Sequence, residues 1–186
     1  MPLGLQPSDG EIYGHLFENS ATGLKRGVYW NASVDFEPVM LDGEEQDCSL
    51  AIEWLTLPVR RWRDLDGMEL ARVTQPDLLE CSLYLFEEHH LATLRRLQLR
   101  TTGLFSFEAD FSAIADVDDG SGRRLFEISG RCDLTFTSII VVPSNLQPAP
   151  ASELEVQAAL VKFISLQDLS PPLFEGWRYV LEPIAE

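Results

Sequence analysis

Asp116, Asp118 and Glu127 in "ADVDDGSGRRLFE", residues 115 to 127, stand where a twelve-residue calcium loop carries its first, third and twelfth ligands. The rest of that template does not follow. Gly120 takes the fifth position, Ser121 replaces the sixth-position glycine, and the flanking residues alternate like strands instead of helices. The stretch reads as a hairpin turn, and no metal is expected there.

Only three histidines are present. In "LFEEHHLATLRR" a strand would put Glu87 and His89 on one face and Glu88 and His90 on the other, so a Glu-x-His pair offers two metal ligands. The His-x-His and HExxH sets that complete such sites are absent. A polar turn between strands near 79–86 and 92–101 accounts for these residues. His15, in "IYGHLFE", has no partner nearby in sequence. GxSxG, GxxxxGK[ST] and a strand-linked GxGxxG are all missing. Glu108 and Asp110 share the polar face of one strand and form a conceivable acid/base pair, but among thirty acidic residues such pairs arise by chance. No catalytic residue, metal or cofactor is assigned.

Two clusters read as contact surfaces. "DFEPVMLDGEEQD", residues 35 to 47, gathers Asp35, Glu37, Asp42, Glu44, Glu45 and Asp47 at a strand end and the acidic loop after it. "PVRRWRDLDG" gathers Arg60, Arg61, Trp62 and Arg63. In so acidic a chain these arginines are expected to pair with carboxylates of the same molecule. Trp and Arg also anchor interfaces, so a partner or self-association contact is the second reading.

Thirty acidic against fourteen basic residues give a net charge of −16. Such a surface repels phosphate backbones, which argues against nucleic-acid binding, and it attracts basic proteins. No run approaches the eighteen apolar residues of a membrane span, and "MPLGLQPSDG" lacks the basic and apolar regions of a signal peptide. Cys48, Cys81 and Cys132 show no CxxC pairing and suit a reducing compartment. The expected location is the cytoplasm.

The elements that must position these residues are mostly strands. In "VYWNASVDFEP", Val28, Trp30, Ala32, Val34 and Phe36 alternate with polar neighbours. Leu50, Ile52 and Trp54 form a second such face, and Leu79, Cys81, Leu83 and Leu85 a third. Apolar residues then hold odd positions from Leu97 to Val117 and even positions from Phe126 to Phe136. A two-residue turn at Gly120-Ser121 reconciles the two sets, because it pairs residues whose numbers sum to 241. Phe107 then faces Leu134 and Ala115 faces Phe126. The same register sets Asp118 against Arg123, Asp110 against Arg131 and, unfavourably, Glu108 against Asp133.

Residues 143–152, "PSNLQPAPAS", read as an internal connector within a single domain of 186 residues. Ser152 and Glu155 have the form of a capping box. A helix after them would show Leu154, Ala158 and Val161 on one face, a strand through "AALVKFISL" is the alternative, and "GWRYVLEP" reads as a final strand.

The expected fold is therefore mainly β: an antiparallel sandwich or strongly curved sheet, with a long hairpin over about 103–142 and one C-terminal helix. The expected function is that of a non-enzymatic acidic protein that docks or masks a more basic protein. The alternative is a small-molecule or enzymatic pocket inside the β framework, lined by Trp30, Trp54, Tyr84 and Phe86 with His89 or Glu108 as polar groups.

Overall fold

The computed structural model describes residues 4–41, 44–71, 79–85, 87–118 and 122–185. In chain order the strands are β1 (Pro7–Asn19), β2 (Leu24–Leu41), β3 (Glu44–Leu55), β4 (Glu69–Ala71), β5 (Glu80–Leu85), β6 (Glu88–Thr101), β7 (Ser106–Asp118) and β8 (Arg123–Val141). Helix α1 (Glu153–Leu160) follows, then β9 (Leu173–Glu175) and β10 (Arg178–Leu181).

The fold is mainly β, and its principal strands close into a seven-stranded barrel in the order β1-β2-β3-β5-β6-β7-β8. This corrects the expectation of a sandwich or open curved sheet. Every seam is antiparallel except the last, where β8 returns alongside β1 in parallel, from Asp9 opposite Asp133 to Leu16 opposite Val141. That pairing joins residues more than a hundred apart, which no local pattern announces. Closure removes the two sheet edges that β1 and β8 would otherwise expose.

The long hairpin carries the register expected from its alternation, from Ser106 opposite Thr135 to Asp118 opposite Arg123. Gly120 and Ser121 lie outside the described residues. The apolar positions of both strands turn inward: Phe107, Ala109, Phe111, Ala113, Ala115 and Val117 from β7, and Ile128, Cys132, Leu134 and Phe136 from β8, are all buried.

Gly10 is required where β1 is squeezed between its two neighbours. A Cβ at this position would collide with the Ser33 carbonyl oxygen of β2 and the Leu134 side chain of β8.

The barrel is filled. Trp30, Phe107, Phe111 and Phe136 are fully buried inside it, and Trp62, from a 3-10 turn spanning Trp62–Leu65, stacks on Phe136 and joins the same core. The C-terminal segment packs on this core through Val156 and Leu160 of α1, Ile164 and Leu181. Ser152 caps α1 by accepting a hydrogen bond from the Glu155 N–H, as the capping box implied, and the Glu155 carboxylate accepts from the Ala151 N–H.

The buried face of α1 differs from the expected one. Leu154, Ala158 and Val161 point to solvent, because a two-turn helix needs only Val156 and Leu160 to dock.

Two further local readings change. His89 and His90 belong to β6, not to a turn; Leu85 already lies opposite Glu88, and Glu87 before it stands at φ 59°. Trp54 does not share the inward face of Leu50 and Ile52. The β2–β3 pairing slips between Ala32–Ile52 and Trp30–Leu55, and this bulge turns Trp54 outward at φ 63°.

Candidate functional site: an acidic outer face

The outer surface of the barrel carries a row of aspartates drawn from strands far apart in sequence. Asp133 on β8 and Asp9 on β1 are register partners. Asp35 on β2 and Asp47 on β3 continue the row; burial and then the charges of Asp9 and Asp47 hold the Asp35 carboxyl above its ordinary range. The field crosses the barrel wall. Cys132, facing inward, is pushed up to about 11 by burial first, then by Asp133, Asp9 and Asp35.

Among the described residues, no Lys or Arg relieves this row. From Gly27 to Val59 the chain holds seven carboxylates and neither Lys nor Arg. Among the described residues the ion pairs lie elsewhere: Arg26 with Glu18, Arg61 with Asp64, Arg63 with Asp168, Arg96 and Arg131 with Asp110, Arg123 with Asp116, Arg178 with Glu175. Among the described residues, no Lys or Arg forms an ion pair with Asp9, Asp35, Asp47 or Asp133.

The expected 35–47 patch is thus half of a larger surface. Asp35, Glu37, Glu45 and Asp47 are exposed on the β2–β3 ribbon, and Glu44 pairs through its backbone with Leu41. Asp42 lies outside the described residues. Sequence reasoning did not find Asp9, which joins the patch through the β1–β2 pairing, or Asp133, which joins it through the parallel seam. The clash foreseen between Glu108 and Asp133 is present in the register and is eased on both sides. Thr102 Oγ1 donates to Asp133 at 3.2 Å, and Glu108 faces Arg100 across β6–β7.

Beside the aspartates lies an outward aromatic cluster. Trp54 covers Phe17, His15 and Tyr29, with ring centroids 4.6, 6.0 and 6.1 Å away. Its left-handed backbone is held by the buried Asn31, whose Oδ1 accepts the Trp54 N–H at 3.0 Å. His15 Nε2 is enclosed with no hydrogen-bond partner among the described residues, and burial lowers this imidazole to about 4, so it is neutral at pH 7. Tyr13, one outward position away, has its phenol raised by burial and by Glu53 and Glu11.

Arg60, Arg61, Trp62 and Arg63 hold the molecule together. Trp62 is buried and donates its indole N–H to the Asp168 carbonyl at 3.2 Å. Arg63 lies over the indole at 4.3 Å and reaches the buried Asp168 carboxylate at 3.5 Å. Arg60 donates to the carbonyls of Lys162 and Phe163, and Arg61 pairs with Asp64.

The residues considered for an internal pocket do not converge. Trp30 is inside the barrel, Trp54 and Glu108 are on its outer surface, and Phe86 is outside the described residues. His89 packs edge-on against Tyr84 at 5.0 Å, while His90, next to it, is buried with Nε2 at 3.2 Å from the Leu85 carbonyl. Glu108 and Asp110 line a surface cleft of about 210 Å³ with Arg96, Arg100 and Arg131. A shallower cleft of about 610 Å³ lies between the β1–β2 hairpin and residues 144–147. Among the described residues, no three His, Cys, Asp or Glu side chains are grouped to hold a metal ion, and no helix is long and apolar enough to cross a membrane.

Comparison with protein-family models, with curated proteins and with solved structures gives no match to this chain.

Proposed function

We propose that this chain is a binding protein whose outer β8–β1–β2–β3 face docks a cationic protein. The observation that carries this reading is the row Asp133, Asp9, Asp35 and Asp47, drawn together from four strands and without an ion-pair partner among the described residues. Repulsion within a folded face costs stability. A basic partner relieves that cost on binding, and the long-range field speeds encounter before contact is made.

The rest of the molecule is consistent with a rigid platform. The barrel interior is occupied by Trp30, Phe107, Phe111 and Phe136, and the clefts described above open on the outside. Affinity capture from host lysate at low and high salt tests the proposal. The expected result is a basic protein retained by the native chain, lost on raising the salt and not retained by Asp9→Asn/Asp35→Asn/Asp47→Asn. Equal retention by both chains would rule the reading out.

A further inference from the structure

Backbone register places five outward side chains in one line across five strands. Leu173 of β9 is paired with Val180 of β10, Val180 with Ile140 of β8, Ile140 with His15 of β1, and His15 with Tyr29 of β2. Paired residues share a sheet face, so these five form a continuous stripe, and Trp54 closes its far end over Tyr29 and His15. Four steps between strands make it roughly 19 Å long, the reach of about six extended residues. Leu173 is 64% exposed, Ile140, His15 and Trp54 are each partly exposed, and Val180 and Tyr29 are buried beneath their neighbours, so the reachable surface is Leu173, Ile140 and the edge of the Trp54 cluster.

Carboxylates border this stripe. Glu11, Glu175 and Glu182 line a cleft of about 400 Å³ with Tyr13, Ser138 and Val180, and Arg178 there is already engaged by Glu175. Glu53 lies near enough to Tyr13 to act on its phenol. A second copy of this chain is a poor occupant, because its own carboxylates would meet these across the contact. The complementary occupant is apolar where the stripe is apolar and cationic along its borders.

We propose that this stripe gives the docking face its specificity by taking an extended segment of the partner in which basic and apolar residues are interspersed. The inference rests on the reading of the aspartate face as the basic partner's site. The aspartates supply attraction to any cation. The stripe selects among cations, since only a segment with apolar side chains covers Leu173, Ile140 and the Trp54 cluster while its basic groups meet Glu11 and Glu182.

Two synthetic peptides of equal charge and length test this on the full chain, one alternating arginine with leucine and the other arginine with serine. The arginine–leucine peptide is expected to bind about tenfold tighter or better. Leu173→Ser, at an exposed position that folding does not need, is expected to remove most of that excess and leave the arginine–serine affinity unchanged. Leu125→Ser, an equally exposed leucine on another part of β8, is expected to change neither. Equal affinity for the two peptides, or an excess insensitive to Leu173→Ser, overturns the stripe alone. Failure of both peptides to bind at low salt overturns the aspartate face together with it.

Discussion

The indole of Trp62 stacks on the ring of Phe136, with centroids 4.9 Å apart and planes 11° from parallel. Phe136 belongs to the barrel wall and Trp62 to the 3-10 turn between β3 and β4, so the stack fixes the turn to the barrel. Truncation by Trp62→Ala removes a buried indole packed on Phe105, Phe107 and Phe136 and is expected to cost about 3–5 kcal/mol, read as a lower denaturation midpoint in urea.

Among the described residues, Arg63 is the one cation on the buried Asp168 carboxylate. Arg63→Ala leaves that carboxylate in the interior without its ion pair, at a cost of about 2–4 kcal/mol. Neutralising both partners, as Arg63→Met/Asp168→Asn, is expected to be less damaging than Arg63→Ala alone. A double variant no more stable than the single one would mean that Arg63 acts through its packing on Trp62.

Closure of the barrel depends on Gly10. Gly10→Val has to displace either the β2 backbone at Ser33 or the β8 side chain of Leu134, and a loss of about 3 kcal/mol or more is expected. Circular dichroism would keep its strand signal while the melting temperature falls. An unchanged melting temperature would contradict the close approach of β1 to β2 and β8.

His15 makes stability depend on pH. Its folded value, lowered to about 4 by burial, lies below the unfolded value of about 6.5, so between these limits the unfolded chain binds a proton that the native chain does not. Stability present above pH 6.5 is therefore lost as pH falls toward 4, by an amount on the order of 2–3 kcal/mol. Asp35 and Glu53 act in the opposite sense, since their raised values favour the folded state as protons are taken up. The His15 contribution is isolated as the difference between the native chain and His15→Phe, which is expected to flatten the slope between pH 6.5 and 4 in urea titrations.

The sequence was most informative where strands are neighbours in the chain. Alternation in β7 and β8, with Asp110 against Arg131, specified that hairpin's register because one face had to be apolar throughout. β1 was not legible for the converse reason. Gly10 and Gly14 interrupt its inward set, and Tyr13, His15 and Phe17 put rings on its outward one, so neither face reads as polar. Without β1 the barrel could not be closed on paper, and Asp9 and Asp133 could not be joined to the patch at Asp35 and Asp47. Trp54 was misplaced because a bulge shifts phase by one residue and leaves no mark in composition. Trp62, among three arginines, carried the pattern of a surface anchor; its burial follows from contacts with residues 105, 136 and 168, far along the chain.

Binding of a fluorescent octa-arginine peptide, titrated from about 50 to 300 mM salt, separates a defined face from net charge alone. Three forms are compared: the native chain, Asp9→Asn/Asp35→Asn/Asp47→Asn, and Glu69→Gln/Glu127→Gln/Glu153→Gln, which removes the same charge from exposed positions elsewhere. The native chain and the second variant are expected to bind alike and weaken together with salt, while the aspartate variant binds about tenfold less tightly at low salt. Equal losses in both variants would show that the peptide senses only the total charge of −16, and the acidic face would no longer be a site.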